Sequence, residues 1–353
     1  MCYHVPPLFR NLHFNHLFRP MKTEISIEGL RKRVSASQRD FVIAQNDQVT
    51  IPKPWKSLAA VAIGLLLSVP GLAQTQYRFS TIDVTIDEHH ATATEPNGNS
   101  TLEIAGMFNF EDEMQHGFVL NKGVFTQIDA PGGVNGTSIN GINAAGQLAG
   151  TYLDDRLVFH AFFEDKGIFT TLDPTNSIRT SGGFINAQGQ VVGFYRVALQ
   201  PQRRLGFIWS KGTFTTFSEP FDGPAFGTRA FGINDIGEVV GDYSDDPDHA
   251  HGYLRSSKGD FTPLNVPDAG STTAQGINNA GTIVGYYNIL KLNDPNPHGF
   301  VFNHGVFMTV DVPDKDGKAQ LTQIFSINAK GEIVGSYFDS EGVQHGFLGV
   351  PAR

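Results

Sequence analysis

The chain has 353 residues, a formal net charge of −9, 39 glycines and a single cysteine, Cys2. This length allows one large domain or two domains of ordinary size. An acidic surface repels nucleic acid and anionic lipid, so the composition argues against a nucleic-acid partner. Frequent Gly beside many Thr, Val, Ile and Phe residues favours short strands and tight turns over helices.

The N-terminal region carries the pattern of a secretory signal peptide. A basic start, a short apolar core and a small-residue exit occupy residues 56–74, with cleavage expected after Ala73. The alternative is a membrane anchor, but the apolar run from Leu58 to Val69 is short for a bilayer span and ends at Pro70. We therefore expect a secreted protein, periplasmic or extracellular, with no stable membrane span after cleavage.

Residues 1–48 precede this signal and show no repeat. They are basic, contain Pro6 and Pro7, and are longer than an ordinary n-region. We interpret them as a non-structural upstream segment or as the product of a misassigned start, with translation beginning at Val49. The signal peptide would then span residues 49–73, and the folded domain would span residues 77–353.

From residue 77 onward, three short motifs recur in a fixed order. The first is I-N-x-x-G-x-h-h-G-x-Y, with h apolar, and its first clear copy reads GINAAGQLAGTY. The second motif is HGF, and the third is G-x-F-T-x-h-D-x-P. Each set occupies about 45 residues and holds four candidate strands, which is the size of one propeller blade.

The two ends of the repeat region indicate how it closes. The chain stops at HGFLGV without a following FTTID strand, whereas residues 77–84, YRFSTIDV, supply such a strand at the start. An open array would leave both edges unpaired. The pattern predicts an all-β fold, a six-bladed β-propeller with four-stranded blades whose ring is closed by residues 77–84 pairing with the C-terminal strand. A β-solenoid or a pair of sandwiches is the alternative.

The succession INxxGxIVGxY…HGFL…GxFTxLDxP resembles the HAF-type repeats of probable extracellular repeat proteins. The resemblance covers about residues 77–353 and implies export and repetition, but it brings no reaction, substrate or catalytic residue. Two positions depart from the pattern. Leu102 replaces the turn glycine of the first copy, and Leu205 replaces the histidine of the third.

Most repeated residues are explained by the strands and turns themselves, and we expect the repeated aromatic of HGF to form the core between blades. The Asn of Asn-x-x-Gly can bond the turn backbone, and its Gly supplies a positive φ. One His per blade would lie too far from the others to share a metal ion, so we expect each His to hydrogen-bond within its blade. We interpret the Asp that ends FTTID as a turn cap, because Ser218 and Asn265 replace it in two copies.

Variation collects in the loops between the second and third strands of each repeat. In scaffold folds such loops carry function. These loops are acidic in most copies and basic in the third. The candidate ligand-binding residues are Asp112, Asp154, Asp155, Arg196, Arg203, Arg204, Asp245 and Asp339.

One of these loops has the chemistry of a divalent-metal site, because carboxylates and an imidazole lie close together in it. The spacing matches no ligand signature, so we expect no required cofactor and keep Ca²⁺ or another divalent ion as the alternative. The candidate metal ligands are Asp245, Asp246, Asp248 and His249.

The chain contains no H-E-x-x-H, G-x-S-x-G or phosphate-binding glycine motif. This favours a binding module that uses its loop-rich acidic face, with a protein or a polysaccharide as ligand, over an enzyme. The alternative is a secreted hydrolase or lyase acting on carbohydrate or a lactone. It would need two or three of Asp112, Asp154, Asp245 and Asp339 to approach one cleft. A purely structural surface protein is a third hypothesis.

Overall fold

The computed structural model describes residues 76–86, 89–92, 94–98, 103–109, 114–220, 226–244, 246, 249–289, 296–313, 317 and 321–352. The predicted upstream segment and signal peptide, and the predicted site residues Asp112, Asp245 and Asp248, lie outside these ranges. Every regular element in the described ranges is a β-strand, and none of them contains a helix long and apolar enough to cross a membrane.

The strands, in chain order, are β1 Tyr77–Ile86, β2 His89–Thr92, β3 Thr94–Gly98, β4 Ile104–Asn109, β5 Gln115–Asn121, β6 Val124–Ile128, β7 Thr137–Ile142, β8 Leu148–Leu153, β9 Phe159–Asp165, β10 Ile168–Thr171, β11 Ser177–Ile185, β12 Val191–Val197, β13 Gln200–Ser210, β14 Thr213–Phe217, β15 Gly227–Ile233, β16 Val239–Ser244, β17 His251–Arg255, β18 Phe261–Leu264, β19 Ser271–Ile277, β20 Ile283–Asn288, β21 Pro297–Asn303, β22 Val306–Thr309, β23 Leu321–Ile327, β24 Ile333–Phe338 and β25 Gln344–Pro351.

These strands pair as antiparallel meanders in chain order, four strands at a time. Two such meanders, β11–β14 and β15–β18, are joined into one sheet by a single parallel bridge between Arg204 and Gly227. We call the meanders units 1 to 6, namely β3–β6, β7–β10, β11–β14, β15–β18, β19–β22, and β23–β25 together with β1.

The N-terminal strand supplies the fourth strand of unit 6. Tyr77–Ile82 of β1 pair in antiparallel register with Gly346–Pro351 of β25. Beyond this stretch, β1 also pairs with β2. The strand that the repeat lacks at its C-terminal end is therefore filled from the other end of the described chain.

The units pack face to face in an all-β, propeller-like arrangement. In each case the second strand of one unit contacts the first strand of the next, from β4 with β7 through to β20 with β23, and β24 contacts β3. The first strands also contact one another. They therefore line the inside of the arrangement, and the fourth strands lie at its outer edge.

The repeated aromatic of HGF forms the core between units, as the sequence predicts. Phe162 is fully buried and lies opposite Gly150, the second glycine of the hairpin motif. A Cβ on Gly150 would lie 2.1 Å from the Ser138 carbonyl oxygen and 2.7 Å from the Phe162 ring. The glycine and the aromatic therefore recur together because the ring occupies the space that a side chain would need. The other buried members of this set are Phe118, Phe207, Tyr253, Phe300 and Phe347.

Candidate functional site

The asparagines of the Asn-x-x-Gly turns serve two structural purposes. The Asn143 Oδ1 accepts from the backbone amides of Ala145 and Gln147, which confirms the predicted turn role, and Gly146 has a φ of 78°. The Asn143 Nδ2 also donates to the carbonyl oxygen of Asn186, the equivalent residue of the next unit. The same link continues from Asn186 to Asn234, from Asn234 to Asn278, and from Asn278 to Asn328.

The repeated histidines pair with carboxylates of their own units. The His160 Nδ1 lies 2.6 Å from Asp173 Oδ2, so the histidine on the third strand contacts the aspartate after the fourth. Bonding within the unit, as predicted, is confirmed for four copies. The aspartate acts here as the partner of the histidine, a role that the turn-cap interpretation did not include. The other three pairs are His116–Asp129, His298–Asp311 and His345–Asp83.

The hairpin tyrosine completes this group. The Tyr152 ring stacks on His160 at a centroid distance of 5.1 Å, and its hydroxyl lies 3.0 Å from Thr171 Oγ1 on the fourth strand. Strands two, three and four of a unit are thereby joined by side chains on one face. The repeated Tyr, His, Asp and Thr are thus accounted for by contacts within the unit.

Two of the predicted loop carboxylates contact these same histidines. Asp154 Oδ2 lies 3.3 Å from His160 Nε2, and Asp339 Oδ2 lies 3.3 Å from His345 Nε2. The backbone amide of Val158 holds the pKa of Asp154 below its usual value, and Val343 does the same for Asp339. Each carboxylate is thus bound by its own loop and its own histidine, and the structure does not bring these two together.

The remaining predicted residues fall into separate places. Arg203 in unit 3 donates from Nη2 to Ser218 Oγ at 3.2 Å, in the unit where Leu205 and Ser218 replace the usual His and Asp. Asp155 is exposed in its loop. Arg196 and Arg204 lie opposite each other on β12 and β13.

The predicted metal cluster is represented by two of its four residues. His249 Nδ1 lies 2.7 Å from Asp246 Oδ2, and both side chains are substantially exposed. Within the described ranges, no three His, Cys, Asp or Glu residues are grouped as a metal ion would require. The metal site stays a prediction, because Asp245 and Asp248 lie outside those ranges.

The first strands of units 2 to 6 each carry an irregularity in their pairing with the second strand. In unit 2, Ile139 pairs with Gly150 and Gly141 with Ala149, which leaves Asn140 without a partner residue in the ladder. A β-bulge of this kind turns a side chain away from the regular alternation and is frequent beside functional sites. The corresponding positions in units 3 to 6 are Gly183, Phe231, Gln275 and Phe325.

These five bulge positions line one cavity of about 320 Å³, which we call the channel cavity. Its volume is in the range typical of small-ligand pockets, about 300–1,000 Å³. The wall combines aromatic rings, side-chain amides and a guanidinium group. Besides the bulge residues, the cavity is lined by Ser181, Gly182, Phe184, Phe194, Arg229, Tyr286 and Gln323.

The guanidinium of Arg229 is fixed in this wall by a buried carboxylate. Its Nε donates to Asp242 Oδ1 at 2.7 Å, and its Nη2 pairs with Asp242 Oδ2, which also accepts from Thr273 Oγ1 of unit 5. The Arg229 side chain is 28% exposed and that of Asp242 is 0% exposed. Burial lowers the pKa of Arg229, but the attraction of Asp242 outweighs it and the pKa is raised. Arg229 is therefore held in one position beside the cavity as the cationic half of an ion pair.

A second, smaller cavity of about 140 Å³ lies at the turn end of the same inner strands. The linked asparagines Asn143, Asn186, Asn234, Asn278 and Asn328 line it. Their side-chain amides are engaged by structural hydrogen bonds of the turns and, for the first four, to the next unit. The residues that vary between copies line the channel cavity.

Reasoning from loops alone missed the channel cavity. The bulge residue stands three positions before the repeated Asn, and the x of G-x-Y supplies the lining residues Phe194 and Tyr286 and the Arg229 partner Asp242. Both positions vary strongly between copies of an otherwise uniform hairpin. A comparison of the repeats position by position, within strands as well as loops, shows this variation and identifies the cavity-lining positions.

The comparisons with known proteins yield structural likeness only. No protein-family model matches the chain, and no curated protein matches it. The chain is similar to a gluconolactonase from Xanthomonas campestris, with 10% identity and a TM-score of 0.46, over 81% of this chain and 94% of that one. At this level the likeness identifies neither a ligand nor a reaction for the present chain.

Two further solved structures are similar to about the same degree. One is AofleA from Arthrobotrys oligospora, with 12% identity and a TM-score of 0.44, over 80% of this chain and 85% of that one. The other is the β-propeller domain of the Trilobed protease from Pyrococcus furiosus, with 11% identity and a TM-score of 0.42, over 73% and 93% of the two chains.

Proposed function

We propose that the folded region is a six-bladed β-propeller closed into a ring. Two features support this proposal. β1 pairs with β25 along six residue pairs. β24 contacts β3, and Val334 of unit 6 shares one buried cluster with Ile104, Phe108 and Phe118 of unit 1. Closure also removes the two sheet edges that an open array would expose.

The protein is, in this proposal, an exported member of the HAF-type repeat proteins. The support is the signal-peptide pattern at residues 49–73 and the motif succession from residue 77 onward. The protein acts in the periplasm or outside the cell. Its formal charge of −9 argues against nucleic acid as the partner.

The function that the geometry supports best is ligand binding in the channel cavity. The observation that carries this proposal is the set of bulges on five consecutive inner strands, which brings four variable side chains and the backbone of Gly183 to a single cavity. Side chains that differ between copies at this inner position give the cavity a wall of mixed polar and aromatic character, as small-ligand sites have. The bulged position holds amides in Asn140 and Gln275 and rings in Phe231 and Phe325.

This lining suits part of a carbohydrate better than a purely apolar molecule. Side-chain amides donate to and accept from hydroxyl groups, a guanidinium donates to them, and aromatic rings pack on the C–H face of a sugar. A polysaccharide is therefore the favoured ligand, and a protein ligand at the acidic loop face is the second. Binding of a divalent ion by Asp245, Asp246, Asp248 and His249 remains a separate, alternative proposal.

We propose binding rather than the hydrolase or lyase alternative because of the state of the carboxylates that the structure describes, which do not include Asp112 and Asp245. Asp242, the carboxylate held in the wall behind the cavity, is engaged by Arg229 and Thr273. Asp154 and Asp339 are engaged by their loops and histidines. A general acid and base pair would need two carboxyl groups facing one substrate.

Glycan-array screening of the purified protein, followed by calorimetric titration of the retained glycans, tests the proposal. We expect Phe231→Ala and Gln275→Ala to weaken binding at least about tenfold, which is about 1.4 kcal/mol. Gln188→Ala, at an exposed turn position, is the matched control and should bind as the parent protein does. Retention of no glycan, or equal binding by all three variants, would contradict binding in the channel cavity.

A further inference from the structure

Three arginines lie side by side across the strands of unit 3. Arg179 on β11 pairs with Arg196 on β12, and Arg196 pairs with Arg204 on β13. Arg204 in turn pairs with Gly227, two residues before Arg229 on β15. Side chains of directly paired residues lie about 4.5–5.5 Å apart at Cβ and share a face of the sheet. We call Arg179, Arg196 and Arg204 the arginine row.

Such a row is unfavourable unless something neutralises it. Like charges placed directly opposite each other destabilise a sheet. Burial, together with repulsion from Arg229 and Arg196, lowers the pKa of Arg204 to about 10. The pKa of Arg179 is lowered by burial and by Arg196. The side chains are thus held close enough to oppose one another's charge.

The described part of the chain offers the row little compensation. The nearest carboxylate that raises the pKa of Arg204 is Asp242, which already accepts from Arg229 and Thr273. The Arg179 guanidinium lies 3.9 Å from the centroid of the Phe159 ring in unit 2, a contact with no countercharge. Within the described ranges, none of the three arginines forms an ion pair with a carboxylate.

The row is also placed where a ligand of the channel cavity would reach it. It lies at the end of the strands away from the Asn-x-x-Gly turns, since Arg179 is near the start of β11 and Arg196 is near the end of β12. Arg229, which lines the channel cavity, is close enough to Arg204 to affect its pKa. The chain has a net charge of −9, so a positive cluster is a local exception in it. Such a cluster attracts negatively charged groups of a ligand.

We propose that the arginine row binds an oxyanion of the ligand, a carboxylate, sulfate or phosphate group, so that the protein recognises an acidic glycan. Guanidinium groups bind all three anions through paired N–H donors. The anion site is inferred from the arginine row alone. The statement that the anion belongs to a glycan rests on the glycan binding proposed above.

The anion site is tested with inorganic sulfate, inorganic phosphate and acetate on the purified protein. Thermal unfolding is followed as each salt replaces sodium chloride at constant ionic strength. We expect at least one oxyanion to raise the unfolding temperature in a saturable way. Arg196→Gln and Arg204→Gln should lose the saturable part, while Arg156→Gln, an exposed loop arginine of unit 2, keeps it. Which salt acts distinguishes the three oxyanions.

The same variants give a second readout without any added anion. Because each substitution removes repulsion within the row, Arg204→Gln should unfold at a higher temperature than the parent protein in chloride. If Arg204 had a purely structural role, Arg204→Gln would unfold at a lower temperature than the parent protein. No saturable effect of any oxyanion, or an equal effect in all variants, overturns the proposal.

Titration with an acidic oligosaccharide and its neutral counterpart separates the two proposals. Arg196→Gln should weaken binding of the acidic form at least tenfold and leave the neutral form unchanged. An oxyanion effect without glycan binding would support the anion site at the arginine row and contradict the proposed glycan binding. Glycan binding that depends neither on the acid group nor on the Arg196→Gln change would support the proposed glycan binding and contradict the anion site.

Discussion

At the scale of single residues, one threonine shows how the repeat tolerates an exception. The inner strands of units 2, 4, 5 and 6 carry a buried Thr whose hydroxyl accepts from a backbone amide near the end of the preceding repeat. In unit 6, for example, the Val312 amide donates to Thr322 Oγ1 at 3.0 Å. Thr180 occupies the same place in unit 3, but its Oγ1 is buried and has no partner among the described residues. Pro174 stands where the donor should be, and proline has no N–H.

This exception predicts opposite outcomes for the same substitution at two sites. Thr322→Val should lower the free energy of unfolding by about 1–3 kcal/mol, since it leaves the buried Val312 amide unpaired. Thr180→Val should change it by less than about 0.5 kcal/mol or raise it, because the hydroxyl that it removes is already unsatisfied. Urea unfolding of the two variants measures this. Equal losses at both sites would show that Thr180 has a partner in solution.

At the scale of elements, the hairpin both builds its own turn and fastens the next unit. The Asn278 Oδ1 accepts from the amides of Ala280 and Thr282, while its Nδ2 donates to the carbonyl of Asn328. One side chain thus stabilises its own turn and also links its unit to the next. The bulge three residues earlier then sets which inner side chain faces the channel cavity.

Asn278→Asp separates these two roles, because aspartate keeps the acceptor and loses the donor. We expect a loss of about 1–3 kcal/mol in the free energy of unfolding at neutral pH, since the buried Asn328 carbonyl loses its donor and faces a carboxylate. The control is Asn265→Asp, which installs the residue that most units carry at that position and should stay within about 0.5 kcal/mol. Equal stability of Asn278→Asp and the parent, measured by urea unfolding, would mean that the link between units carries no net stability.

At the scale of the whole molecule, the first strand β1 pairs with the last strand β25. Tyr77–Ile82 complete the sheet of unit 6, so the terminal strand closes an edge that would otherwise be open. The same arrangement packs unit 6 against unit 1 through Val334 and Phe118. If the ring is closed as we propose, the terminal strand matters as much to unfolding as any internal strand.

A disulfide across this junction tests the closure. Arg78 and Val350 are directly paired residues, and paired positions have the separation that a disulfide needs. We expect Arg78→Cys with Val350→Cys, in a Cys2→Ser background, to oxidise readily and to raise the free energy of unfolding by about 2–4 kcal/mol. The reduced form of the same variant is the control. Failure to oxidise in the folded state would contradict the paired ends.

The sequence by itself determined the repeat, its four strands, the turn asparagines and the buried aromatics. These depend on local spacing, so that Asn143 and Gly146, or Gly150 and Phe162, are readable one hairpin at a time. It also indicated that the strand missing after Phe347 is supplied by residues 77–84. Local patterns of this kind survive because backbone geometry imposes the same requirement on every copy.

Only the tertiary structure decided which variable residues meet. Asn140, Phe231, Gln275 and Phe325 are more than 40 residues apart in the chain, and a bulge in each strand brings them to one cavity. The pairing of Arg179, Arg196 and Arg204 likewise follows from register across three strands. The physical reason is that convergence depends on packing between strands and units, and spacing along the chain does not encode it.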